Sequence, residues 1–389
     1  MKILFTGGGT AGHIFPIIAV TREIKKISPQ DNFQFFYVGP KDRFLGTLLS
    51  REGITVKTIL AGKIRRYLGF KSFFQNIFDV LFKIPIGFIQ AIYYNFVISP
   101  DLIFSKGGYG SLSVVFSGWL LLIPIFLHES DVSPGLSNRL LGRFSLETFV
   151  SFPIEKTEYF PSKKMISVGN PVRLEILEGE KEKAKELFKL TGDYNPPTTL
   201  PSERAPKPII LVLGGSQGSQ RINDILLLIL PELLLNFELI HQIGQKNFKE
   251  TESEARAVIN RELLKYYHPS PFLDEEELKQ AFTISDLIIS RAGSGSIFEI
   301  SAVGKPSILI PLTESAQNHQ LKNAYAYAGN GACLVMEEAN LTPHFFLERL
   351  KYLFSRPEKL REMGEGAKLF SKPQAAKIIA EYIVEYLNQ

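Results

Sequence analysis

Cysteine is all but missing: Cys333 is the only one in 389 residues. That excludes an internal disulfide and fits a reducing compartment. No spacing of Cys and His suits a zinc site, no D-x-D pair occurs, and no Walker phosphate loop is present. The apolar start Met1-Lys2-Ile3-Leu4-Phe5 meets glycine too soon for a signal-peptide core. Charge is absent from residues 107–127, 21 positions in all. That is long enough for a membrane span. However, Gly110, Gly118, Pro124 and several serines interrupt it, so a buried helix followed by a core strand into His128-Glu129 is expected.

Glycine, in contrast, is placed with a repeated grammar. Ile3-Leu4-Phe5-Thr6-Gly7-Gly8-Gly9-Thr10-Ala11-Gly12-His13 and Ile209-Ile210-Leu211-Val212-Leu213-Gly214-Gly215-Ser216-Gln217-Gly218-Ser219 each read as an apolar strand, a tight turn and a helix start. Such a turn aims backbone N–H groups and the positive end of a helix at an anion. Two copies predict an α/β chain of two Rossmann-like parallel-sheet domains facing each other across a cleft. The length suits two domains, and 45% hydrophobic residues suffice for two cores. Strands are expected at Lys2–Thr6, Phe33–Val38, Asp101–Ser105, Ile123–Leu127, Ile209–Leu213, Phe237–Gln242, Leu287–Ser290 and Ser307–Ile310, with helices at Phe15–Lys26, Phe44–Glu52 and Ala375–Leu387. The Pro-rich stretch 195–208 reads as a surface loop. The domain junction is expected near Gly169-Asn170-Pro171, giving domains of 1–168, with a returning helix at about 371–389, and 169–370.

The charge is uneven. Residues 1–168 carry 19 Lys and Arg against 11 Asp and Glu, and the remainder carry 25 against 29. A basic first half points to an anionic partner there. Within it, 67–98 is aromatic-rich. Lys71, Gln75, Asp79 and Lys83 fall four apart on one helical face, and Phe70, Phe73, Phe74, Ile77, Phe78, Leu81 and Phe82 occupy the rest. Pro85 is expected to break the pattern, leaving neither half long enough to span a bilayer. Preceded by Lys63, Arg65 and Arg66, the segment reads as a helix in a membrane interface, or else as a core helix packed on the sheet.

Gly7, Gly9 and Gly12 also match G-x-G-x-x-G, but the second strand ends Tyr37-Val38-Gly39 without the carboxylate a dinucleotide needs. An NAD-dependent oxidoreductase is therefore disfavoured. His13 opens the first helix, where a neutral imidazole is favoured and suits a general base. Lys106-Gly107-Gly108-Tyr109 and His128-Glu129-Ser130-Asp131 come after strands, as does Arg291-Ala292-Gly293-Ser294, whose helix carries Glu299 at a spacing suited to two ribose hydroxyls. The loop 311–320 is polar and ends in His319-Gln320. Such turns, at the carboxyl ends of parallel strands, are where ligands bind in these folds.

Seven motifs in order carry a resemblance. Gly8 to His13, Gly107-Gly108-Tyr109, His128 to Asp131 with Pro134-Gly135, Gly169-Asn170-Pro171-Val172-Arg173, Gly214 to Gly218, Arg291-Ala292-Gly293 with Glu299, and His319-Gln320 with Asn323-Ala324 together resemble the MurG family of bacterial N-acetylglucosaminyltransferases, glycosyltransferase family 28. The resemblance runs from residue 3 to about residue 330. It implies the GT-B fold, with the lipid-linked acceptor on the first domain and UDP-GlcNAc mainly on the second. It implies donor contacts from Thr10, Gly12, Asp131, Arg173, Ser216, Gln217, Arg291, Gly293, Ser294, Glu299, His319 and Gln320. The uracil would lie by Arg291 to Gly293, the ribose by Glu299, the diphosphate by Ser216, Gln217 and Arg173, and the sugar by His319 and Gln320. The activity implied is inverting transfer of GlcNAc to the C4 hydroxyl of the muramoyl sugar of lipid I, with His13 as first choice of base and Glu129 as second. Another GT-B enzyme, a nucleotide-sugar epimerase or a transferase to a soluble acceptor, is the alternative. No metal or cofactor is expected, nor any nucleic-acid partner. The family's basic-rimmed apolar patch implies a peripheral place on the cytoplasmic face of the inner membrane through Arg65, Arg66, Phe70, Phe73, Phe74, Ile77, Phe78 and Phe82, with contacts to other wall-synthesis proteins. Where many members read His-Glu-Gln-Asn, this chain has Ser130 and Asp131. An ionised Asp131 accepts hydrogen bonds but cannot donate them as Asn does.

Overall fold

Short β-branched and aromatic runs alternate with helical ones, and the result is two parallel sheets. The computed structural model describes residues 1–30, 32–63, 70–153, 159–192, 206–215, 218–313 and 315–389. The loop expected at 195–208 lies mostly outside them. Among the described residues the chain separates into two compact units: Met1–Arg173 with Lys372–Gln389, and Leu174–Ser371.

In the first unit the elements run β1 (Lys2–Thr6), α1 (Ala11–Ile27), β2 (Gln34–Pro40), α2 (Arg43–Arg51), β3 (Ile54–Ile59), α3 (Phe70–Phe78), a π-turn at Asp79–Lys83, α4 (Ile84–Ile98), β4 (Leu102–Ser105), α5 (Leu112–Leu120), β5 (Ile125–Glu129), α6 (Leu136–Leu141), β6 (Glu147–Val150) and β7 (Met165–Ser167). The seven strands order β3-β2-β1-β4-β5-β6-β7. Every adjacent pair is parallel. The strand order reverses between β1 and β4, which opens a crevice at their carboxyl ends. The helix expected from Phe15 starts at Ala11, because extended Thr10 (φ −136°) ends the turn early. His13 therefore sits in the first helical turn.

The second unit carries α7 (Lys181–Phe188), β8 (Ile209–Leu213), α8 (Gln220–Asn236), β9 (Glu238–Gln242), α9 (Phe248–Val258), β10 (Tyr267–Ser270), α10 (Glu275–Ile284), β11 (Leu287–Ser290), α11 (Ser294–Val303), β12 (Ser307–Leu309), α12 (His319–Ala328), β13 (Cys333–Val335), α13 (Pro343–Phe354) and α14 (Pro357–Phe370). Its order β10-β9-β8-β11-β12-β13 reverses between β8 and β11 in the same way. Edge strand β10 tolerates Pro269 because one of its sides has no ladder to complete.

Helix α15 (Ala375–Leu387) returns to the first unit. It packs on α1 and buries Ile379, Ala380, Ile383 and Val384 in that core, while the Tyr382 and Tyr386 rings stand edge-on to Phe126 at 5.4 and 5.1 Å. Truncating Ile383→Ala should destabilise the first unit by about 2–5 kcal/mol. The same truncation at exposed Leu369 should cost no more than about 0.5 kcal/mol. Urea unfolding followed at each unit checks the contrast, and equal costs would deny α15 its place in the core.

Candidate functional site

At the β1–β4 reversal, the turn after β1 brings its glycines against the ring of His13. Thr10 spends its side chain on that ring instead of capping α1: Oγ1 lies 2.7 Å from His13 Nδ1. If Nδ1 donates this hydrogen bond, Nε2 keeps its lone pair and can take a proton. The ring is held from two sides. A Cβ at Gly8 would lie 3.1 Å from His13 Cε1, and one at Gly108 would lie 2.9 Å from the Gly8 backbone and 3.2 Å from His13 Nε2. Gly108 also has φ +84°, a conformation L side chains rarely adopt. His13 is half-buried, and Thr10 and Gly12 are exposed beside it.

The loop after β5 holds the second expected base. Glu129 is buried, and its carboxylate accepts from the Asp131 amide at 2.9 Å, the Gly135 amide at 3.3 Å and Asn138 Nδ2 at 2.8 Å. Burial pushes its pKa up to about 7, helped by the Asp131 charge and opposed by these donors. A carboxylate so committed shapes the 131–138 loop, which favours His13 as the base. Asn138 was not foreseen from the sequence, because only the fold of α6 turns it back onto His128 and Glu129. Arg173, expected beside a diphosphate, stacks its guanidinium 3.9 Å from the centre of the Phe15 ring. This pairing buries the guanidinium against α1.

Arg291, Gly293, Ser294 and Glu299 follow β11 at the β8–β11 reversal, and His319 and Gln320 come after β12. Gly218 N–H closes the first turn on Gly215 O at 3.0 Å, and Ser219 caps α8. Ser216 and Gln217 lie outside the described residues. Behind this turn runs a buried polar chain in which Tyr267 donates to His241 Nδ1 (3.0 Å) and His241 Nε2 donates to Asn223 Oδ1 (3.1 Å), while Asn223 Nδ2 donates to Ile243 O. Burial keeps the imidazole neutral. Helix α11 starts at Ser294 with Gly293 as its N-cap, and a Cβ at Gly293 or Gly295 would meet nothing within 4 Å. Its amino end is thus open to a ligand, and half-buried Glu299 sits farther along the same helix. The expectation for the Arg291 side chain changes. Its guanidinium pairs with Glu338 at 2.5 Å and donates to Ile310 O and Ser219 Oγ, so it braces three loops. Glu338 had no local signal, because it is 47 positions away in the chain. Gln320 likewise accepts from Leu312 N–H through Oε1. Gln317 and Asn318, both left-handed at φ 58° and 55°, turn the chain so that half-buried His319 opens α12. Among the described residues no group of three or more His, Cys, Asp or Glu could hold a metal ion.

Segment 70–98 departs from expectation. Pro85 does not break it. The π-turn at Asp79–Lys83 joins α3 to α4, Pro85 falls in the first turn of α4 where its missing N–H is tolerated, and Phe74–Ile98 is one helix long and apolar enough to cross a membrane. Its polarity is inverted relative to a core helix. Asp79 is buried at 1% exposure, bonded to Lys83 Nζ and the Lys63 amide, whereas Phe78, Leu81 and Phe96 are 53%, 61% and 74% exposed. Phe74, Ile77 and Phe82 share the exposed face. The helix docks through Gly87, Ala91, Asn95 and Ile98, and Asn95 Nδ2 donates to Val114 O and Ser117 Oγ. Arg65 and Arg66 lie outside the described residues, as do the side chains of Phe70 and Phe73.

Residues 3–150 match the glycosyltransferase family 28 N-terminal domain, and residues 209–379 match its C-terminal domain. Relatives named UDP-N-acetylglucosamine--N-acetylmuramyl-(pentapeptide) pyrophosphoryl-undecaprenol N-acetylglucosamine transferase include one from Clostridium tetani, 34% identical over 92% of this chain and 91% of that protein. Another, from Clostridium botulinum, is 36% identical over 99% of each. The chain belongs to glycosyltransferase family 28. Family 28 members are glycosyltransferases, and this chain is an enzyme of that kind. Its fold is GT-B. MurG from Acinetobacter baumannii superposes with a TM-score of 0.69 at 23% identity, over 99% of both chains. A UDP-GlcNAc 2-epimerase from Neisseria meningitidis, bound to UDP-GlcNAc, reaches 0.64 at 17% over 99% of this chain and 100% of that one, which is likeness of fold alone.

The buried chain behind the β8 turn of this family 28 enzyme has a measurable consequence. Burial draws the His241 pKa down to about 3. Between about pH 6.5 and 3 the unfolded chain binds a proton that the folded one refuses, so stability is present above pH 6.5 and is lost as pH falls, by up to about 1.4 kcal/mol per pH unit. Replacing His241→Asn should flatten that slope for the second unit. An unchanged slope in urea unfolding at pH 7 and 5 would place the titration elsewhere.

Proposed function

We propose that this enzyme moves N-acetylglucosamine from UDP-GlcNAc to the C4 hydroxyl of the N-acetylmuramyl sugar of undecaprenyl-pyrophosphoryl-N-acetylmuramyl-pentapeptide, with inversion at the anomeric carbon. The observation that carries this reading is 34–36% identity, over nearly the whole of both chains, to transferases named for that reaction. The acceptor hydroxyl gives its proton to His13 Nε2 as its oxygen bonds to the anomeric carbon. The bond from that carbon to the diphosphate oxygen breaks, and UDP leaves with the electron pair. Thr10 Oγ1 accepting from Nδ1–H holds the imidazole in the tautomer this requires. The charge that develops on the diphosphate meets the N–H groups of the turn after β8 and the positive end of α8, with Ser216 and Gln217 assigned there. The open amino end of α11, with Gly293, Ser294 and Glu299, takes the nucleoside, and His319 and Gln320 approach the sugar. Arg291 supports the nucleoside site from behind.

The exposed face of α3 and α4 lies in the interface of an anionic membrane on its cytoplasmic side, where the acceptor is anchored. A docked stripe holding Asn95 in buried hydrogen bonds supports a helix lying against the surface and not through it. Buried apolar side chains supply the binding energy and nearby basic residues about 1 kcal/mol each. This face is also what weighs against the epimerase reading, since a soluble nucleotide sugar has no use for it.

Acceptor-dependent UDP release from UDP-GlcNAc, with a short-chain lipid-linked acceptor, tests the reaction. UDP-GlcNAc binding without acceptor stimulation would turn the reading toward an epimerase or a soluble acceptor. Substituting His13→Ala should lower kcat by roughly 10²–10⁴-fold with donor affinity little changed, and unaltered turnover would remove His13 as the base. Placing charge on the apolar face with Phe78→Asp and Phe82→Asp should weaken co-sedimentation with vesicles containing anionic lipid. Turnover on the short-chain acceptor should hold. Vesicle binding equal to that of the parent would refute the interfacial role.

A further inference from the structure

Lysine is almost never fully buried unless it is paired, yet Lys106 is 2% exposed at the end of β4. An ammonium has three donors. Here they reach His128 Nδ1, Ser130 Oγ at 2.7 Å and Asn170 Oδ1 at 3.2 Å. His128 Nε2 in turn donates to Gly169 O at 3.1 Å, which assigns the ring its neutral form with Nδ1 as an acceptor. One side chain thus ties the end of β4 to the end of β5 and to the segment beyond β7.

The turn just beyond Lys106 gives this tie its meaning. Gly107 and Gly108, at φ +75° and +84°, are wedged between two walls. A Cβ at Gly107 would collide with Asn138 Oδ1, and one at Gly108 would press on Gly8 and His13 Nε2. The turn has no slack, and its root is Lys106. Burying a cation to hold a strand end is costly when an apolar side chain would fill the space.

We propose that Lys106 is a positioning residue for the transfer: its ammonium, held by His128, Ser130 and Asn170, fixes the Gly107-Gly108 turn that seats the His13 imidazole. This rests on the transferase reading above. Lys106 also faces the loop in which this chain carries Ser130 and Asp131. The ammonium takes Ser130 as an acceptor and lies within the electrostatic reach of Asp131 and Glu129.

The titratable groups facing Lys106 are His128 and Glu129 at the end of β5 and Asp131 in the loop beyond, with His13 behind the turn. Burial draws the Lys106 pKa down to about 7, against the pull of the two carboxylates. The ammonium is the working form, so positioning is present well below pH 7 and is lost as pH rises through about 7. The test compares Lys106→Met with the parent, as full-length proteins. Expected are a fall in kcat of about tenfold or more, a KM for UDP-GlcNAc within about twofold, and loss of the alkaline limb of the kcat–pH profile. Histidine ring ¹⁵N resonances give a readout that needs no turnover. The parent should keep His128 as the Nε2–H tautomer from pH 5 to 8, and the variant should release it and shift the His13 signals. A folded variant with parental kcat, pH profile and ring resonances overturns the proposal. Should Lys106→Met not fold, the pair Ser130→Ala with Asn170→Ala removes two acceptors: kcat must fall and the His13 signals shift, and the alkaline limb, still set by Lys106, must move to lower pH. If the parent shows no acceptor-dependent turnover, the transferase reading fails, and the ring spectra still decide whether Lys106 holds the imidazoles.

Discussion

The reversal of strand order, between β1 and β4 in one sheet and between β8 and β11 in the other, is the constraint on which everything else depends. Parallel strands are joined by right-handed crossovers, so a chain that winds first to one side and then to the other leaves its two central strands with connections departing in opposite directions. A crevice opens there without any side chain having to create it. The turns after β1 and β4 enter one such crevice, and those after β8 and β11 enter the other. Among the described residues, His13 and Glu129 in one unit and Gly293, Ser294 and His319 in the other come to the carboxyl ends of strands because of topology, although they lie far apart in the chain.

The first crevice is built on close approach. Gly8 and Gly108 let two turns meet around one imidazole, Thr10 Oγ1 is hydrogen-bonded to its Nδ1, and Lys106 anchors the turn from below. Glu129, a carboxylate that looked available for catalysis, is consumed by three donors of its own loop. The second crevice is organised differently. Its charged side chain Arg291 braces, holding Glu338, Ser219 and Ile310; in the proposed reaction the helix ends of α8 and α11 meet the donor with backbone dipoles. Fixed dipoles of that kind suit a diphosphate leaving group.

The apolar helix shows how composition can mislead about direction. Aromatic residues at helical spacing belong in a core by default. Here the buried stripe is built from Gly87, Ala91 and Asn95, small or hydrogen-bonded residues that allow close docking, and Phe74, Phe78, Phe82 and Phe96 face outward. Pro85 falls in the first turn of α4, directly after a π-turn, where the helix absorbs it. Neither fact is visible in a periodicity, because periodicity defines two faces without saying which one meets the sheet.

The sequence by itself determined the α/β class, the two Gly-rich strand–turn–helix units and His13 at a helix start, since these arise from local patterns a few residues long. It also carried enough family signal to name the reaction class. Tertiary structure alone decided that β3, β6, β7, β10 and β13 extend the sheets, that Arg291 braces and does not reach outward, that Glu129 is spent on its loop, and that Lys106 lies beneath the turn beside His13. Those outcomes depend on partners such as Asn138, Asn170 and Glu338, brought in by crossovers from tens of residues away. A side chain's role is set by whichever partner the topology puts within hydrogen-bonding distance, and local sequence holds no record of that distance.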